Sequence, residues 1–161
     1  MIRKIITKDI PGIREKSKEL PKEFLSTTAF QRLLVDMEET MYATDGVGIA
    51  ASQIGENIRV ALVTDERKKL FLINPKIIWS SWRKVWGEEG CLSVPGLFGM
   101  VRRASSIRVT ALNTEGADHT FDAKGFFARV IQHELDHLDG ILFIDRAKDL
   151  HEVKESHDHA L

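Results

Sequence analysis

The chain has 161 residues, 43% of them hydrophobic and 29% charged, a length and composition that suit one ordinary globular domain with its own core. A formal net charge of -1 leaves no basic excess for nucleic acid or a membrane surface, and the apolar runs are too short for a bilayer span or a secretory signal. The single cysteine, Cys91, excludes an intrachain disulfide and points to a reducing compartment, the cytoplasm.

In chain order, residues 11–20 read as a short polar helix or turn. Leu33, Leu34, Met37, Met41 and Tyr42 recur at helical spacing around Asp36, Glu38 and Glu39, which predicts an amphipathic helix over 28–43. Ser26 or Thr27 would cap it, and Asp45-Gly46 ends it. The Gly-rich segment Gly46-Val47-Gly48-Ile49-Ala50-Ala51-Ser52-Gln53 follows. Residues 59–64 and 70–73 read as strands, the second closed by Asn74-Pro75, and 76–86 as a further extended segment. Ile107, Val109 and Ala111 alternate with Arg108 and Thr110; with a turn at 113–116 and a return at 119–121 they predict a hairpin. The period then changes. Phe126, Phe127, Val130, Ile131, Leu135 and Leu138 give a helix over 125–138 with a wide apolar face, closed by Gly140. A short apolar strand or turn at 141–144 precedes a polar tail, 148–161, which carries His151, His157 and His159 and reads as solvated or disordered. Strands first and the main helix late predict an α+β fold, with antiparallel sheets packed around a central helix, in a single domain over 1–161.

That helix carries His133-Glu134-Leu135-Asp136-His137. Residues four apart on a helix lie roughly 40° apart around the axis and about 6 Å along it, so both imidazoles face one side and can share one divalent ion. Glu134 can reach water at that ion without ligating it, which suits an acid–base role. The competing reading is a surface helix with two solvated histidines. A chance match of this kind is expected in on the order of one chain in a hundred, and the apolar flanks make unpaired polar groups costly.

Two histidines leave a catalytic site one protein ligand short. The downstream donors, from Asp145 to His159, lie on no second helix with an apolar face. Upstream, Cys91 sits between Gly90 and the Pro95-Gly96 turn. A lone cysteine is more often a small buried hydrophobe, but thiolate is a strong donor to a borderline metal, and Cys91 is the expected third ligand. Gly46-x-Gly48 reads equally well as a turn after a helix, and it lacks the rest of a dinucleotide fingerprint. Ala50 and Ala51 are small enough for close backbone approach, which would leave Gln53 as a neutral amide suited to polarising a carbonyl.

Together these segments resemble the peptide deformylase family. Its Gly-x-Gly-x-Ala-Ala-x-Gln motif is matched by Gly46 to Gln53, its Glu-Gly-Cys-Leu-Ser motif by Glu89 to Ser93, and its Gln-His-Glu-x-Asp-His-Leu-x-Gly motif by Gln132 to Gly140. The resemblance spans roughly residues 30–145. It implies that Cys91, His133 and His137 ligate one divalent metal, natively Fe(II), with Zn, Ni or Co also accepted. Glu134 would be the general base and then acid, and Gln53 with the backbone N–H of Leu92 would stabilise the oxyanion. The implied substrate is the N-formylmethionyl end of a nascent polypeptide, which yields formate and a free amine. Close packing at Gly48, Gly90 and Leu92 would admit only the small formyl group. Val47, Phe126, Val130 and His133 would line the methionine pocket, although Phe126 and Val130 read equally as helix core. Arg103 would contact the substrate backbone or be a solvated surface residue.

The chain departs from the family pattern in three places. Ser52 replaces a more usual Pro, Thr or Asn. Arg129 stands where an apolar residue often lines the methionine pocket, which leaves side-chain preference open. The chain after Leu150 is short and polar, without the basic C-terminal helix linked to ribosome docking in other members, so ribosome binding is not carried over. For the two-histidine helix alone, a zinc endopeptidase is the competing reading. Cys91 and Gln53 argue against it.

Overall fold

The computed structural model describes residues 1–65 and 68–153. Its two α-helices are α1 (Thr28–Ala43) and α2 (Gly125–Leu138). Its strands are β1 (Gly48–Ala50), β2 (Val60–Thr64), β3 (Lys69–Ser80), β4 (Lys84–Cys91), β5 (Val94–Ala104), β6 (Ser106–Leu112), β7 (Asp118–Lys124) and β8 (Lys148–Glu152). They form one sheet in the order β1-β2-β3-β6-β7 and a second in the order β4-β5-β8, with antiparallel strand pairs throughout. Among the described residues, no helix is long and apolar enough to cross a membrane.

The helices lie on opposite faces of β2. Val60 and Leu62 pack with Leu33, Leu34, Met37 and Met41 of α1. Val63 packs with Val130, Ile131 and Leu135 of α2. A strand covered on both faces carries a continuous apolar run, as residues 60–63 do. Thr27 caps α1, its hydroxyl accepting the Phe30 N–H at 3.2 Å. Helix α2 also contacts β5 of the second sheet, so it sits between the two sheets as the expected central helix. At its C-terminus, Gly140 has φ +74 and donates to the His137 carbonyl, while Ile141 donates to the Asp136 carbonyl. This is the Schellman arrangement, in which glycine tolerates the left-handed backbone.

Four segments correct or narrow the sequence reading. First, β3 does not end at Asn74-Pro75 but bulges through it, with a register shift between Ile73 and Lys76. There the Asn74 side chain both accepts the Leu20 N–H and donates to its carbonyl, each at 2.8 Å. Second, residues 76–86 are divided by a bend into the end of β3 and the start of β4, which belong to different sheets, and Trp79, Trp82 and Trp86 are all exposed along this stretch. Third, residues 141–144 contain no strand; Phe143–Asp145 is a 3-10 turn that buries Phe143 beside Ile13, Val94 and Val101. Fourth, the tail is ordered at its start. β8 pairs Leu97 with Glu152 and Phe98 with His151, whereas His157 and His159 lie outside the described residues.

Candidate metal centre

Helix α2 presents His133 and His137 one turn apart, their ring centroids separated by 5.0 Å. The end of β4 brings Cys91 opposite them. One ligand atom from each of the three residues lies within 4.8 Å of the others, and Cys91 Sγ is 3.1 Å from His137 Nε2. Two imidazoles and a thiol at this separation suit a borderline divalent ion.

Each donor is held by neighbours. The Nδ1 of His133 lies 2.8 Å from Glu89 Oε1, which leaves Nε2 for the cluster. Glu89 receives two bonds from Arg103, Nε to Oε2 at 3.0 Å and Nη2 to Oε1 at 2.9 Å. Arg103 also bonds Asp136, whose carboxylate takes two further bonds from Arg146. At Cys91, the Ser93 N–H donates to Sγ at 3.4 Å and Gln53 Nε2 lies 3.7 Å away.

The titratable groups divide accordingly. Burial pushes the Glu89 carboxyl up, but hydrogen bonds from His133 and Arg103 outweigh it and hold the pKa at about 2. Burial, and then the charge of His133, lower His137 well below the usual imidazole range and keep it neutral, the form that ligates. Burial, the largest cause, raises Glu134 to about 7 against the opposing charges of His133 and Arg103. Its Oε2 has no hydrogen-bond partner among the described residues. An orphaned, buried carboxylate oxygen beside three soft donors fits an acid–base group next to a metal.

Strand β1 crosses α2 closely enough to fix that carboxylate. A Cβ at Gly48 would lie 2.6 Å from Glu134 Oε1 and 2.9 Å from Val130 Cγ1. Gly48→Ala is therefore expected to turn Glu134 out of place and lower kcat by about 10²-fold, with the metal content per chain unchanged. Steady-state kinetics together with metal analysis check this, and near-normal kcat would show that the carboxylate has room to move.

Gln53 is buried and its amide is oriented. Its carbonyl accepts the Ala50 N–H at 2.9 Å, while its Nε2 faces Ser93 Oγ at 3.2 Å and Cys91 Sγ. A cavity of about 550 Å³ opens over these groups. Gln53, Cys91, Leu92, His133 and Glu134 line it, as do Val47, Gly48, Gly90, Phe126 and Val130. Phe126 is 66% exposed, so it belongs to the cavity rim and not to the helix core. Val130 is buried and faces both the core and the cavity.

Arg103 is the exception among the expected contact residues. It is neither solvated nor at the cavity; 5% exposed, it spends its guanidinium on Glu89 and Asp136. Arg129 borders the cavity but bonds outward to β4 and β5. Sequence reasoning overlooked Glu89, Asp136 and Ser93. Glu89 carried a readable signal: it stands two residues before Cys91 in an extended segment, and alternate strand residues share a face.

Known proteins resemble this chain over most of its length. The family model described as polypeptide deformylase matches residues 2–153. A peptide deformylase of Desulforudis audaxviator is 45% identical over 146 residues, 90% of this chain and 93% of that protein. One from Natranaerobius thermophilus is 43% identical over 157 residues, 97% of this chain and 99% of that protein. Among solved structures, a class I type b peptide deformylase from Acinetobacter baumannii with Met-Ala-Ser bound superposes with a TM-score of 0.88 at 33% identity, covering 91% of this chain and 99% of that one.

Proposed function

Because the chain belongs to the peptide deformylase family, we propose that Cys91, His133 and His137 hold its divalent metal, that Glu134 carries the proton, and that Gln53 and the Leu92 N–H receive the oxyanion. The chain is a metal-dependent hydrolase that removes the N-formyl group from the formylmethionine of newly made polypeptides and releases formate. The observation that carries the residue assignment is the meeting of one thiol and two imidazoles within 4.8 Å, beside the buried Glu134.

When bound, a divalent metal supplies Lewis acidity that brings the ionisation of water toward neutral pH. Glu134, at about 7, can hold a proton at its unpartnered Oε2 and return it to the amine as the C–N bond breaks. Gln53, oriented through its carbonyl, offers its amide N–H to the carbonyl oxygen of the substrate. Gly48 and Gly90 leave room for formyl and crowd out larger acyl groups. Val47, Phe126 and Val130 offer an apolar wall to the methionine side chain. Fe(II) is the proposed native ion, and the thiolate–imidazole set also suits Zn, Ni or Co. The cytoplasm, where nascent chains emerge, is its proposed place of action. The Met-Ala-Ser bound to the Acinetobacter protein corresponds to the product of this reaction.

The direct test is formate release from formyl-Met-Ala-Ser by the Fe(II)- or Ni(II)-loaded protein. Turnover is expected with the formyl peptide and little with its acetyl analogue. Formate no higher than in a metal-free control would overturn the reading.

A further inference from the structure

Arg129 lies four residues before His133, on the same face of α2. Its guanidinium makes three bonds: Nη1 to Glu89 Oε2 at 2.7 Å, Nη1 to the Val101 carbonyl at 2.9 Å, and Nη2 to the Val85 carbonyl at 2.8 Å. Val85 belongs to β4 and Val101 to β5, so one side chain of α2 grips both strands of the hairpin that delivers Cys91. The other oxygen of Glu89 holds His133 Nδ1. Room for this arrangement comes from a glycine. A Cβ at Gly87 would stand 2.7 Å from Arg129 Cζ, 2.8 Å from Nε and 2.9 Å from Nη2. The guanidinium therefore lies flat on the Gly87 backbone.

We propose that Gly87 and Arg129 act as one positioning unit for the metal centre. Arg129 fixes the carboxylate of Glu89, which orients the His133 ring, and it clamps the β4–β5 hairpin so that Cys91 stays opposite the histidines. Gly87 is the space that the clamp occupies. The inference rests on the reading of Cys91, His133 and His137 as ligands. Arg103 is the other cation on Glu89, so loss of Arg129 weakens the support without abolishing it. Val85 and Val101 would then lose the partner that ties them to α2.

The test is the rate at which zinc-loaded protein releases its ion to a chromogenic chelator. Arg129→Leu is expected to release zinc about 10-fold faster, within the range typical of lost outer-sphere support. Arg129→Lys, which keeps a cation at Glu89, should recover part of that loss. Gly87→Val should accelerate release as Arg129→Leu does. The double variant should be no faster than the worse single variant, because both changes remove the same clamp. Thermal melting of each variant without metal identifies any that fail to fold; the gentler Gly87→Ala and Arg129→Lys then replace them. Wild-type release rates in Arg129→Leu, or multiplying effects in the double variant, would overturn the proposal. Failure of the ligand reading is distinguishable, since it would show as zinc retained by Cys91→Ala.

Discussion

Glu134→Gln is expected to lower kcat by about 10²–10⁴-fold while one metal per chain stays bound. The amide keeps the shape of the carboxylate but cannot accept a proton. Glu134 is 4% exposed and its Oε2 has no partner among the described residues. Its raised pKa makes the effect specific to chemistry: a carboxyl at about 7 is half protonated near neutrality, where a proton can be both taken and returned. KM should move little, because the formyl and methionine contacts are proposed to lie on Gln53, Leu92 and the apolar wall. A sign follows for stability too. A carboxyl raised from 4.5 to about 7 by burial costs the metal-free fold stability as pH rises above 4.5, with most of that cost reached by pH 7. The metal-free Gln variant should lack that part of the pH dependence. Kinetics, metal analysis and melting curves between pH 5 and pH 8, taken as about the working range, test this directly. A variant with near-normal kcat would remove Glu134 from the reaction.

What the sequence made legible follows the range of each interaction. The two histidines and Glu134 are neighbours on one helix, so their convergence is a matter of helical pitch, and the apolar stripe of α2 marks the helix independently. The β6–β7 hairpin was readable because Ile107, Val109 and Ala111 keep strict alternation. Strand β5 was not, because Pro95, Gly96 and Gly99 interrupt its pattern and Arg102-Arg103 add charge where a core strand is expected to be apolar. β8 is exposed along all five residues and belongs to an edge, where no buried face imposes a period. Arg103 looked like a surface residue because charged side chains are rarely buried unpaired. Its partners Glu89 and Asp136 lie 14 and 33 residues away in sequence, and only the packing of β4 and β5 on α2 brings them together. Arg129 was legible only in part. It does border the cavity, as its position suggested, but the carbonyls that take up its guanidinium belong to strands that no local pattern paired.

Cys91→Ala is expected to abolish tight stoichiometric metal binding, a loss larger than the roughly 10–100-fold typical of outer-sphere changes. Cys91 supplies the only sulfur of the cluster and, as a metal ligand, would be its one anionic donor, while His137 is held neutral by burial. Two imidazoles on one helix turn remain in the variant, and a catalytic site ordinarily needs three protein ligands. Binding to the folded state stabilises it in proportion to the logarithm of ligand over Kd. The wild-type melting temperature should therefore fall when a chelator strips the ion, whereas that of Cys91→Ala should be indifferent to chelator. Cys91→Asp separates charge from softness: a carboxylate restores an anionic donor, and it should regain part of the binding while shifting preference toward harder ions. Full metal occupancy in Cys91→Ala, with a chelator-sensitive melt, would place the third donor elsewhere. The opposite outcome would fix the division of labour between the two sheets, with β4 delivering the anionic donor to a pair of histidines that α2 alone cannot turn into a catalytic centre.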